Sequence, residues 1–133
     1  IIYFYNVYGP KQIEKGLMAT VIGIFQNQYK NKKPLTVVKP GSQTRRFTHV
    51  FDTVNICYLA WKKNKCSHYS ISCRKSYSIK QVAKMFNSRI KMLKPREGER
   101  YASALTKFSL NNKIIRNYGK IDLKDYVTSF IKS

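Results

Sequence analysis

Short β-branched or aromatic runs alternate along this chain with stretches whose apolar residues recur at helical spacing. Glycine, proline or a capping residue stands at most of the switches. A chain punctuated in this way builds strands joined by helices, so the expected class is α/β. Residues 1–8 read as one strand, stopped by Gly9-Pro10. Residues 17–28 carry Leu17, Val21, Ile24, Phe25 and Gln28 at the spacing of an amphipathic helix. Residues 35–38 and 46–50 read as short strands, the first closed by Pro40-Gly41. Asp52 is placed to cap a helix over 53–63, and 68–72 reads as another strand. Ser78 and Gln81 match a capping box ahead of a helix presenting Ile79, Val82, Ala83 and Phe86. Residues 89–93 read as a strand, 94–101 as a charged loop and 107–117 as a helix stopping near Gly119. Asp122 caps the last helix, with Ile121 and Tyr126 spaced as a hydrophobic staple.

The 133 residues suffice for one domain, and a 43% share of hydrophobic residues supplies its core. No apolar run approaches the ~20 residues that cross a bilayer. The opening residues lack the charged leader and small-residue cleavage site of a signal peptide. They also lack an initiator Met and begin inside a strand pattern, so the chain is expected to be a fragment of a longer protein. The helix over 53–63 is apolar almost all round, which calls for cover on several sides and fits the same expectation. Three cysteines, Cys57, Cys66 and Cys73, make no disulfide framework and no usual zinc spacing. A reducing, cytoplasmic setting is the expectation, with Cys57 on a buried helix face.

A net charge of +20 attracts polyanions such as nucleic acid, anionic membrane or phosphate esters. The lysines are scattered, however, and the densest run, residues 30–33, holds only three. Charge alone therefore leaves the partner class open.

Three segments carry candidate chemistry. Asn6 stands where a strand meets a tight turn; it is either an amide that donates to and accepts from a ligand, or simply the residue that starts the turn. Arg45 and Arg46 stand where a turn meets a strand. Strand alternation sends one toward a cleft, able to fork onto a phosphate, and leaves the other solvated; the plainer alternative is two surface arginines. In Pro95-Arg96-Glu97-Gly98-Glu99, Arg96 is suited to a phosphate and Glu99 to a ribose diol, unless the segment is a solvated charged loop. His49 has no acid or hydroxyl beside it in sequence and reads as a packing residue. Tyr29 and Lys33 form a formal Tyr-x-x-x-Lys at a polar helix end, read as chance. There is no GxGxxG, HExxH, P-loop or GxSxG.

Taken in order, these segments resemble the C-terminal part of the extended short-chain dehydrogenase/reductase enzymes that act on nucleotide sugars, and most of all the UDP-glucose 4-epimerase group. The family's Arg-x-Phe-Asn-Val-Tyr-Gly-Pro is matched by Tyr3 to Pro10, and its Gly-x-Pro-Leu-x-Val by Lys32 to Val37. Its Gly-x-Gln-x-Arg-Asp-Phe-x-x-Val-x-Asp is matched by Gly41 to Asp52, and its Pro-x-Arg-x-Gly-Glu/Asp by Pro95 to Glu99. A Tyr-Asn-Ile-Gly-x-Gly segment is matched more loosely by Tyr69 to Arg74. Tyr3, Arg46, Phe51, Ser72 and Arg74 depart from the pattern.

The resemblance implies an α/β fold formed by the C-terminal substrate-binding part of such an enzyme, with the last strand region of a Rossmann sheet at its start. Residues 1–133 would form a single substrate-binding domain, without the NAD-binding Rossmann domain. It implies Asn6, Arg45 and Arg96 on the nucleotide diphosphate, Glu99 on the ribose, and the backbone near Leu17 and Thr36 beside the sugar nucleotide. It implies NAD as cofactor, held mainly by residues outside this chain, and no catalytic residue within it. The expected function is the nucleotide-sugar-binding part of an NDP-sugar 4-epimerase, with a UDP-sugar as substrate and a homodimer as the full-length state. The alternatives are a dehydratase or decarboxylase of the same family, or a small basic nucleic-acid-binding module. Neither membrane nor nucleic acid is the expected partner.

Overall fold

In a computed structural model of the chain, the residues described are 1–63, 68–95, 97–98 and 114–133, with backbone alone at 114–116. The first strand, β1 (Ile2–Phe4), pairs in parallel with β6 (His68–Ser72), which pairs in parallel with β9 (Ile114–Tyr118). This gives a three-stranded sheet of order β1-β6-β9. There are three smaller pairs besides. β2 (Val7–Tyr8) runs parallel to β5 (Thr48–His49), and β3 (Leu35–Val38) parallel to β8 (Ile90–Leu93). β4 (Thr44–Arg45) runs antiparallel to β7 (Tyr77–Ser78). The helices are α1 (Val21–Lys30), α2 (Val50–Lys63), α3 (Ile79–Met85) and α4 (Leu123–Lys132). Parallel neighbours joined through helices are the α/β pattern expected from the sequence.

The expected strand over 1–8 is two strands in different sheets. Asn6 lies between them at φ 43°, a left-handed conformation that asparagine tolerates and that ends strand pairing. The first helix starts later than expected. Thr20 caps it, its hydroxyl accepting the Gly23 N–H at 3.0 Å, and Leu17 lies in the preceding loop, fully exposed. The expected strand over 46–50 is likewise shorter, because Val50 already begins α2. Asp52 therefore sits within the first turn of α2 instead of capping it. Its carboxylate accepts the N–H of Ile121 at 3.0 Å. Residues 114–118 are strand β9 where the sequence suggests helix, because this segment lies in parallel register against His68 to Ser72. The rest of that expected helix lies outside the described residues. Cys57 is half-buried and Cys73 is the buried cysteine, while Cys66 is outside the description.

Other signals are where the sequence puts them. Ser78 and Gln81 close a reciprocal capping box on α3, with Ser78 N–H donating to Gln81 Oε1 at 2.7 Å and Gln81 N–H to Ser78 Oγ at 3.1 Å. Asp122 caps α4 by accepting the Lys124 N–H at 2.8 Å. The core joins α1, α3 and α4 across β3. Phe25, Leu35, Val37, Val82, Phe86 and Val127 are all fully buried there. Burying each such side chain contributes about 1.5–3 kcal/mol, and Phe25 meets Phe86 edge to face at 5.9 Å. Gly41, at φ 76°, closes the turn after β3, where a Cβ would meet Val37 Cγ1 at 2.8 Å.

Helix α2 buries only Thr53, Ile56 and Ala60. Phe51, Val54, Tyr58 and Trp61 form a row on its exposed side, Trp61 being 79% exposed. The cover that the sequence calls for on this helix is thus present on one face only.

Candidate functional site

A cavity of about 280 Å³ opens beside the first half of α1. Val21, Ile24 and Phe25 form one side; Ile79 and Leu93 stand elsewhere on its lining. The polar groups are Asn6, Thr36, Gln43 and Arg45. Three positions singled out from sequence, separated by up to 39 residues, therefore meet at one place. Ala19 reaches the lining from the loop that carries Leu17, while the Leu17 side chain does not. Arg96 and Glu99 lie outside the described residues.

Each polar group is held by its own local structure. Asn6 Nδ2 donates to the Arg46 carbonyl at 3.2 Å, which fixes the amide against the β4–β5 segment. Thr36 is gripped twice by Gln28: its Oγ1 accepts from Gln28 Nε2 at 2.8 Å and its N–H donates to Gln28 Oε1 at 3.0 Å. That arrangement leaves the hydroxyl's own proton to donate. Arg45 is half-buried, with Nη1 donating to the Thr44 carbonyl at 2.8 Å, and it is the charged side chain among the described lining. A guanidinium among apolar walls attracts an anion more strongly than one in open water.

Gln43 is a lining residue that the sequence does not single out as a candidate, although it lies in the Gly-x-Gln-x-Arg segment. It is 2% exposed, its Nε2 reaches the Val38 carbonyl only at 3.5 Å, and its Oε1 is buried with no partner among the described residues. The signal was present in the spacing Gln43-x-Arg45, since residues two apart on an extended chain share a face.

Arg46 departs from expectation. It turns away from the cavity as alternation requires, but it is not solvated: Nη1 donates to the carbonyls of Cys73 (2.9 Å) and Arg74, and Nε is buried. Its role is to pin the turn after β6. His49 is the packing residue expected. It is 4% exposed, its ring lies 5.2 Å from Tyr8, 5.0 Å from Phe51 and 5.5 Å from Tyr126, and burial pushes its pKa below the usual value. Nδ1 accepts the Phe51 N–H at 3.2 Å, which requires that nitrogen to be unprotonated. The ring of Tyr29 packs against Phe86 and Phe130.

This geometry suits an anion-bearing ligand, and among the described residues the cavity wall holds no general acid or base. Nor do these residues fit a dinucleotide. None of the six glycines falls in a GxGxxG, the N-terminus of α3 is closed by the Ser78 side chain, and the switch from β5 to α2 at His49-Val50 contains no glycine.

Comparison with known proteins decides the family. The model of the NAD dependent epimerase/dehydratase family matches residues 1–72. The chain belongs to the NAD dependent epimerase/dehydratase family. The cofactor of this family is NAD. Among curated relatives, ADP-L-glycero-D-manno-heptose-6-epimerase from Fusobacterium nucleatum is 33% identical over an alignment of 88 residues that covers 60% of this chain and 26% of that protein. Among solved structures, UDP-glucose 4-epimerase from Thermotoga maritima, determined with UDP-glucose, superposes with a TM-score of 0.77 at 20% identity. UDP-glucuronic acid 4-epimerase from Bacillus cereus, in complex with UDP-glucuronic acid and NAD, superposes with a TM-score of 0.70 at 24% identity. Both superpositions take in 98% of this chain and 44% of the other, so the chain spans less than half the length of these epimerases. They establish the fold: an α/β chain with parallel strands, shared with the epimerases of this family.

Proposed function

We propose that this chain is the nucleotide-sugar-binding part of an NDP-sugar epimerase or dehydratase, and more finely of a UDP-sugar 4-epimerase. The observation that carries the reading is the meeting of Asn6, Thr36 and Arg45 on one cavity lined otherwise by apolar side chains. In this reading Arg45 takes a diphosphate oxygen, with Asn6 and Thr36 hydrogen-bonding the ligand beside it. Arg96 supplies a second phosphate contact, Glu99 accepts from the ribose, and the loop bearing Leu17 flanks the ligand through its backbone. The substrates named for the two UDP-sugar 4-epimerases support a nucleotide sugar as ligand, and the UDP-sugar is the finer part of the proposal. The chain's contribution is to bind and orient, which fixes the sugar relative to the reacting cofactor.

Titration calorimetry with UDP and UDP-glucose tests this. Losing a charge-assisted hydrogen bond costs about 1.5–3 kcal/mol, so Arg45→Ala is expected to weaken UDP roughly tenfold to a hundredfold. Lys30→Ala with Lys32→Ala should leave UDP binding intact. If the lysine changes abolish binding while Arg45→Ala does nothing, the site is misassigned. Salt-sensitive DNA binding lost with the lysines would then identify the chain as a nucleic-acid module.

A further inference from the structure

A second open cavity, of about 680 Å³, lies at the opposite end of α1. Tyr29 and Lys30 reach it from the last turn of α1, Lys32 from just beyond, Ser88 from the turn before β8, Phe130 and Ile131 from α4, and Ser133 from the C-cap of α4. It shares no lining residue with the cavity around Arg45. Its volume is within the roughly 300–1,000 Å³ of small-molecule sites. We propose that it binds a small aromatic anion, with the ring against Tyr29 and Phe130 and the charge at Lys30 and Lys32.

The ring wall is preformed. Tyr29 and Phe130 lie 6.0 Å apart, and both rest on Phe86, at 6.0 and 6.1 Å, which is itself fully buried. A wall with such backing does not collapse when empty, so a ligand ring gains contact without first reopening the site. The cationic side is placed as firmly. Lys30 Nζ stands 5.6 Å from the centre of the Phe130 ring and 2.9 Å from Glu14 Oε1, which hold it at the rim. Glu14 offsets part of the Lys30 charge, and Lys32, carried on a left-handed residue at φ 53°, supplies a second one. No acidic side chain lines the cavity among the described residues, and the +20 net charge draws anions toward the surface. An apolar wall beside two ammonium groups selects a ligand with a flat ring and an acid group over one with either alone.

Calorimetric titration of the whole chain with naphthoate tests the proposal. Saturable binding is expected, with weaker binding of uncharged naphthalenemethanol. Lys30→Gln with Lys32→Gln should weaken naphthoate about tenfold. Ser88→Trp, which fills the space from a half-buried turn, should abolish it. Trp61→Ser on the exposed row of α2 should leave the isotherm unchanged. The proposal is overturned by absence of saturable binding, by loss of binding in Trp61→Ser, or by binding that survives both Ser88→Trp and the lysine pair. Circular dichroism checks each fold. The two cavity variants alter different elements, so either can decide the matter if the other misfolds.

Discussion

Asn6 and Arg46 are joined across forty positions of sequence by one hydrogen bond, from the Asn6 side-chain amide to the Arg46 carbonyl. The bond holds the break between β1 and β2 beside the strand that carries Arg45. It also couples a backbone requirement, the positive φ at Asn6, to the wall of the cavity.

The two roles of Asn6 separate by mutation. Asn6→Gly keeps the left-handed backbone and removes the amide. UDP affinity should fall severalfold, because a neutral hydrogen bond contributes about 0.5–1.5 kcal/mol, with little change in thermal midpoint. Asn6→Val forces a β-branched residue into that conformation and should cost about 1–3 kcal/mol of stability. Equal stability of the two variants in urea unfolding would show that the strained backbone is of no consequence.

Arg45 and Arg46 should respond in opposite ways. Arg46→Ala leaves the Cys73 and Arg74 carbonyls without this donor and should destabilise the fold by about 1–3 kcal/mol, with UDP affinity unchanged in the folded fraction. Arg45→Lys should recover only part of the affinity lost in Arg45→Ala, because an ammonium cannot reproduce a forked guanidinium contact. Paired measurements of melting and UDP binding check both halves; a ligand-binding defect in Arg46→Ala would reassign it to the site.

Asp52 ties α2 to the segment ahead of α4 through the Ile121 N–H. Asp52→Ala should cost about 1–3 kcal/mol, since the amide it serves is partly buried. Gly119→Ala should act through the same contact, because a Cβ there would stand 2.7 Å from Asp52 Oδ2. If the two changes couple as expected, the double variant loses less than the sum of the singles, which a double-mutant cycle reads directly.

Acid should destabilise the fold in two stages. Burial pushes His49 below its usual 6.5, although Asp52 pulls the other way. A His that is harder to protonate when folded stabilises above 6.5, and that stability is lost as pH falls below 6.5. Partial burial raises the Asp122 carboxyl, but bonds from the Lys124 N–H, Lys75 and Tyr77 outweigh it and hold it below 3.8. Its stabilisation is complete above 3.8 and disappears as pH falls through the lower folded value. Asp122→Asn keeps a capping side chain and removes the charge, so urea unfolding across pH should show a shallower acid limb for this variant and an unchanged His49 stage. Identical acid limbs would remove Asp122 from the account.

Legibility in the sequence followed the range of the interactions. Ser78 with Gln81, Asp122 with Lys124, and the alternation in β3 are local, and each is where the sequence puts it. Asp52 looked like a helix cap because its acceptor role was legible but its distant partner Ile121 was not. Ile114 to Tyr118 looked helical because its strand character comes from pairing with β6, 46 residues earlier (His68 with Ile114). At the cavity, Asn6 and Arg45 stood out by residue type at a turn. Gln43 did not, because its mark is an unpartnered buried oxygen, which only the surrounding fold creates.

The exposed row on α2 gives this chain a dependence on ionic strength. Four apolar side chains face outward on a molecule of net charge +20. In dilute buffer, mutual repulsion keeps the rows of neighbouring molecules apart. At about 1 M salt the screening length falls to roughly 3 Å, shorter than a side chain, and repulsion no longer opposes contact between them. Added salt is therefore expected to bring these molecules together, where it would disperse a protein held in clusters by opposite charges, and light scattering across a salt series reads the difference.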